Sequence, residues 1–152
     1  MTTNNTEYQD IEWVPSTKIV LGNSNVHGRG VFAVVDIAEG DLIERCPTVP
    51  LGFRSRYHLD PQIYRYLYAQ PPCPCLECKN HGFILHMILG YGMMYNHRDG
   101  TNTEWRFDYS KFMADLIAIR DIKAGEEIFV DYGNKYFLDR EKIEFTDAKN
   151  NE

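Results

Sequence analysis

Gly125-Glu126-Glu127-Ile128-Phe129-Val130-Asp131-Tyr132-Gly133 is the stretch on which the fold turns. It opens on a glycine turn, runs through three consecutive apolar residues and stops at a Tyr-Gly pair, so it reads as a turn followed by a short buried strand. The turn itself, Asp121-Ile122-Lys123-Ala124-Gly125-Glu126, has a counterpart at Asp36-Ile37-Ala38-Glu39-Gly40-Asp41, which leads into the strand candidate Leu42-Ile43-Glu44-Arg45. Two turn-plus-strand units are predicted. They do not make a repeat array, because there are only two copies and their surroundings differ.

Working outward, residues 18–21 and 31–35 are strand candidates on either side of the glycine turn at Gly28 and Gly30, and a hairpin is predicted there. Residues 60–69 carry Ile63, Tyr64, Leu67 and Tyr68 at helical spacing, with Pro61 suited to a first helical position, which predicts one short helix. Residues 83–94 are apolar apart from His86 and broken by Gly90 and Gly92, so part helix and part tight backbone passage is expected. Residues 1–16 lack periodicity and read as a loose arm, and 139–152 as a charged tail. The single domain then spans 17–138, and its class is mainly β with short helices.

The whole composition narrows the function. The chain has 152 residues, 43% of them hydrophobic and 13% aromatic, and the length suits one folded domain. No apolar run approaches the ~20 residues of a membrane span, and the polar, acidic start of the chain lacks the features of a secretory signal. Neither a membrane nor export is expected. Sixteen Lys and Arg against 22 Asp and Glu give a formal charge of -6, which disfavours direct nucleic-acid binding, a property carried by clustered cations. A basic peptide is the better partner for this balance. Four cysteines are too few for a disulfide scaffold, so a reducing, intracellular setting is the simpler reading.

Three separated segments carry the chemistry: His27-Gly28-Arg29-Gly30-Val31-Phe32-Ala33, Gly90-Tyr91-Gly92-Met93-Met94-Tyr95-Asn96-His97, and the 125–133 stretch. Each alone is common. Their joint order and spacing resembles the SET domain, specifically its minimal form in viral and microbial proteins, over residues 18–137. The resemblance implies a fold of small curved β-sheets with a pseudoknot-like core, in which the chain end threads beneath the loop carrying the third motif. It implies transfer of a methyl group from S-adenosylmethionine to the ε-amine of a protein lysine, in a histone or other basic tail. Gly28, Arg29 and Gly30 would then face the methionine part of the cofactor, Asn96 and His97 its amino group and adenine, and Tyr136 with Phe137 would pack on adenine. Tyr132 matches the family's catalytic tyrosine, and Tyr66, Trp105, Val130 and Tyr132 the channel through which the lysine enters. Val130, two positions before Tyr132, would bear on how many methyl groups are added. The small members of this kind resemble homodimers, which implies self-association.

Departures are also visible. Arg98-Asp99-Gly100-Thr101-Asn102 keeps the spacing of a later family asparagine at Asn102 without the proline that usually precedes it. Cys73, Cys75, Cys78 and His81 offer zinc-type ligands, but all within one short loop and without a second ligand arm, so reduced loop cysteines are preferred and no metal is assigned. Two further classes remain open: a SET-like interaction module without turnover, and an unrelated β-rich binding domain organised by the Cys/His loop.

Overall fold

The computed structural model describes residues 13–52, 59–69, 83–108 and 110–132. Nine strands and one short helix occupy them, so the expected mainly β class holds. The hairpin forms as expected: β1 (Ile19–Asn23) pairs antiparallel with β2 (Arg29–Ala33), Ile19 facing Ala33 and Asn23 facing Arg29. The turn between them uses Gly28 at φ +47°, a conformation that glycine adopts without steric cost.

The central strand β3 (Leu42–Gly52) is far longer than its apolar start suggests. Helix α1 (Pro61–Tyr64) begins where the sequence indicates, with Pro61 in the first turn and the Asp60 carboxylate accepting the Gln62 N–H at 2.7 Å. It ends sooner than expected. Tyr68 and Ala69 form β4 (Tyr68–Ala69), paired with His86 and Leu85 of β5 (Phe83–Ile88), so sheet pairing takes the last residues of the anticipated helix. β5 corrects a second expectation. This run, apolar save for His86, is no helix but a strand between β4 and β3, and the burial of the successive residues Leu85 and His86 shows both faces covered there. The tight passage expected around the glycines does follow, as turns closed by Gly92 N–H to Leu89 O and Met94 N–H to Tyr91 O.

The remaining strands are β6 (Asn96–His97), β7 (Thr103–Asp108), β8 (Met113–Ala118) and β9 (Glu127–Val130). They complete a four-stranded sheet, β1-β2-β9-β6, and a five-stranded sheet, β4-β5-β3-β8-β7. The two turn units meet each other. Ile37 and Ile122 exchange backbone hydrogen bonds at 2.8 Å, Asp121 accepts the Glu39 N–H at 2.9 Å, and Asp36 accepts the Ala124 N–H at 3.0 Å. This reciprocal arrangement is a local pseudo-two-fold, and it explains why the sequence shows the turn twice. Lys123 and the Ala124 N–H hold the Asp36 carboxyl below the usual carboxylate range, the backbone bond contributing most.

The core lies between the sheets, with Val31, Ile37, Leu116, Ile122 and Ile128 all fully buried. Each such side chain contributes about 1.5–3 kcal/mol relative to exposure. The anticipated threading of the chain end concerns residues after 132, outside those described, as do the loose arm up to residue 12 and the tail.

Candidate functional site

Strand β9 brings the dispersed motifs together. It lies antiparallel to β2, with Val31 facing Ile128, and parallel to β6, with Asn96 facing Phe129 and His97 facing Val130. A strand late in the chain is thereby inserted between one near its start and one from its middle. Asn102 fixes the insertion. Its side chain, 1% exposed, donates to Glu127 O at 2.9 Å and accepts the Phe129 N–H at 2.8 Å, acting on β9 as a neighbouring strand would. Thr101 and Thr103 donate their hydroxyls to Phe129 O at 2.5 Å each. The loop therefore holds its path without the proline.

The Asn96 amide is the hub. Its nitrogen faces His27 O at 3.1 Å, Arg29 O at 3.0 Å and the Glu127 carboxylate at 2.8 Å, two hydrogens serving three acceptors, and so ties the hairpin to β6 and β9. The other Glu127 oxygen accepts the Ser24 hydroxyl at 2.8 Å. This carboxylate lies where a Cβ on Gly30 would project, which is why glycine is needed there although its φ is ordinary.

Tyr132 is held from three sides. Its hydroxyl donates to Tyr95 O at 2.5 Å, its N–H donates to His97 Nδ1 at 3.1 Å, and its ring meets that of His97 at 5.3 Å and the edge of Tyr68 at 6.5 Å. Because Nδ1 of His97 accepts, a neutral ring carries its proton on Nε2, which lies 3.4 Å from Asp99. Beneath this cluster Tyr95 donates its own hydroxyl to Glu44 at 2.7 Å, and burial followed by the Glu44 charge pushes that phenol well above its ordinary range.

These groups surround a cavity of about 640 Å³, lined by residues 26–29, 62, 65–68, 93–97 and Tyr132. Gly28, Arg29, Asn96, His97, Tyr66 and Tyr132 all lie on its wall. Gly30 is behind that wall, under Glu127. Two of the anticipated channel residues lie off the wall. Trp105 packs in a second layer, edge-on to Tyr68 and Tyr95 at 5.9 Å each, and Val130 is 1% exposed within the core. Tyr136, Phe137, Cys73, Cys75, Cys78 and His81 fall outside the described residues. Cys46 is fully buried, and burial raises its thiol pKa strongly. Among the described residues, no three His, Cys, Asp or Glu are grouped to hold a metal ion, and no helix is long and apolar enough to cross a membrane.

Sequence reasoning missed Tyr68, Tyr95 and Glu44. The first two adjoin residues that were singled out, Tyr66 and Asn96, so their position was the available signal. Glu44 gave none, being 51 residues from the hydroxyl it accepts.

Comparison with known proteins agrees with this fold. The SET domain family model matches residues 28–133. A curated relative from Schizosaccharomyces pombe, a histone-lysine N-methyltransferase specific for H3 lysine-37, is 27% identical over 119 residues, covering 75% of this chain and 72% of its own. The crystal structure of a Plasmodium falciparum protein described as a candidate histone methyltransferase superposes with a TM-score of 0.61 at 30% identity, covering 82% of this chain and 96% of its own. The Neurospora SET-domain histone lysine methyltransferase DIM-5 shares the fold, with a TM-score of 0.57 at 23% identity over 76% of this chain and 52% of that one. With the family model matching more than half of the chain, and with Asn96, His97 and Tyr132 joined around one cavity, the chain belongs to the SET-domain family of protein-lysine methyltransferases.

Proposed function

We propose that the cavity binds S-adenosylmethionine and that the chain methylates the ε-amine of lysine in a basic protein tail, a histone tail foremost. The observation that carries this reading is the contact of the Tyr132 hydroxyl with Tyr95 O at 2.5 Å, on the wall that also presents Asn96, His97 and the Gly28 turn. The residues present fit the cofactor. The volume is that of a small-molecule site. Around Gly28, at positive φ, nothing lies within 4 Å of where a Cβ would stand, so the main chain there is open to close approach by a ligand. Asn96, His97, Gly28 and Arg29 would hold it, with Gly30 behind them keeping the hairpin close to β9; Tyr136 and Phe137 are proposed to pack on its adenine.

When bound, the cofactor supplies an electrophilic methyl group on a sulfonium. The chain's own contribution is alignment and exclusion of water. With its proton committed to the Tyr95 carbonyl, the Tyr132 hydroxyl presents acceptor character to an incoming amine N–H and so directs the nitrogen lone pair inward. Tyr132 positions the amine and does not act as base, because its hydroxyl proton is held on the Tyr95 carbonyl. A lysine of pKa ~10.4 must itself lose a proton before attack, and an apolar, largely aromatic wall such as that of Tyr66, Tyr68 and Tyr132 disfavours its charged form. Val130 and Trp105, one layer behind the wall, are proposed to set its width indirectly, by fixing Tyr68 and Tyr95.

The acidic balance of the chain favours a basic peptide, and the H3 lysine-37 specificity of the Schizosaccharomyces pombe relative favours histone H3. Such a substrate places the activity inside the cell. Self-association is carried over from the resemblance and is tested by sedimentation. The test of the activity is incubation with methyl-labelled cofactor and purified histones, followed by mass spectrometry of the labelled peptides. Label on a lysine of a basic tail is expected; label absent, or present on another residue type, overturns the reading.

A further inference from the structure

Glu44 is a buried carboxylate that none of the roles above uses. It is 3% exposed, and its hydrogen-bond donors are all neutral: the Tyr91 N–H at 2.9 Å, the Tyr95 hydroxyl at 2.7 Å and the Cys46 thiol. No lysine, arginine or histidine among the described residues pairs with it. The chain is built around this group. Gly90, at φ +69°, has no room for a Cβ because a Glu44 oxygen stands there, so the turn carrying residues 91–95 wraps the carboxylate. A buried carboxylate left without a cation is costly, and titratable groups kept in that state beside a cleft cluster at functional sites. Tyr95 links Glu44 to the cavity: its hydroxyl donates to Glu44, it stands among the lining residues, and its carbonyl receives the Tyr132 hydroxyl.

We infer that Glu44 is a charge-selecting residue: its unpaired carboxylate, acting through Tyr95, makes the cavity discriminate a cationic ligand from its neutral counterpart. The inference rests on the cofactor reading above. The cofactor carries a sulfonium and its demethylated product a neutral thioether, so the same field that favours entry of the first favours departure of the second. For a separation on the order of 10 Å and an effective dielectric near 20, one buried charge corresponds to about a tenfold preference.

Calorimetry tests this with two probes, S-adenosylmethionine and S-adenosylhomocysteine, on the wild type and on Glu44→Gln, which keeps the shape and the acceptor for Tyr91 while removing the charge. The affinity ratio of the first probe to the second is expected to fall about tenfold in the variant. A merely structural role would weaken both probes alike, and an unchanged ratio overturns the inference. Binding of neither probe by the wild type overturns the cofactor reading and this inference with it. If circular dichroism shows Glu44→Gln unfolded, the wild type carries the test through an analogue bearing an amine in place of the sulfonium methyl. The amine's pKa is then expected to rise on binding, read from the pH at which its affinity declines relative to S-adenosylhomocysteine; no upward shift overturns the inference.

Discussion

Replacing Gly30 by alanine isolates the point where the three motifs meet. The added methyl group would stand on the Glu127 carboxylate, with the Asn96 amide 3.2 Å away. Glu127 can yield only by giving up its bonds to Asn96 and Ser24, both 2.8 Å. Hydrogen bonds to a charged group are worth about 1.5–3 kcal/mol each, and part of that is recovered by water at this half-buried position, so a net loss of about 3 kcal/mol is expected. For a domain of this size that lowers Tm by on the order of 10 °C. The assay is a double-mutant cycle by urea denaturation on wild type, Gly30→Ala, Glu127→Ala and the pair. Once Glu127 is truncated the clash has no object, and adding Gly30→Ala should cost less than about 1 kcal/mol, the typical loss for a mild strain. Equal costs of Gly30→Ala in both backgrounds would refute the steric argument.

Asn102→Ala should cost about 2–4 kcal/mol, because it strands a buried N–H of Phe129 and a C=O of Glu127, and β9 should then exchange its amides faster than β8 in hydrogen-exchange measurements; unaltered exchange at Phe129 would argue against the capping role. His86, 1% exposed, has its pKa lowered by burial from 6.5 to about 4. The folded state thus favours neutral imidazole, the unfolded chain binds the extra proton first, and stability present above pH 6.5 is lost as pH falls toward 4, by about 3 kcal/mol for this group. Denaturation curves of His86→Gln and wild type should converge over that window, whereas a constant difference at every pH would remove His86 as the cause.

The legibility of this fold follows the range of its interactions. The 19–33 hairpin and the two glycine turns are local structures, and their residues declared them. The extent of α1 and the nature of residues 83–94 were not declared, because an apolar run covered on both faces has the same composition as a buried helix; only its pairing with β3 and β4 decides. At the site, Asn96, His97, Tyr66 and Tyr132 were legible through the family resemblance. The same resemblance assigns Trp105 and Val130 to the channel, but a match of spacing cannot tell a residue on the cavity wall from one off it. Glu44 was silent, since a glutamate on a strand acquires meaning only from what it is buried against.

The cavity joining Gly28, Asn96 and Tyr132 is proposed to bind the cofactor and orient the lysine. Parallel titration calorimetry and methyl-transfer turnover on Tyr132→Phe test it most directly. Cofactor affinity is expected to stay within about threefold of wild type while turnover falls by at least about a hundredfold, the scale of a lost group acting only in the transition state. Undiminished turnover in Tyr132→Phe would contradict it.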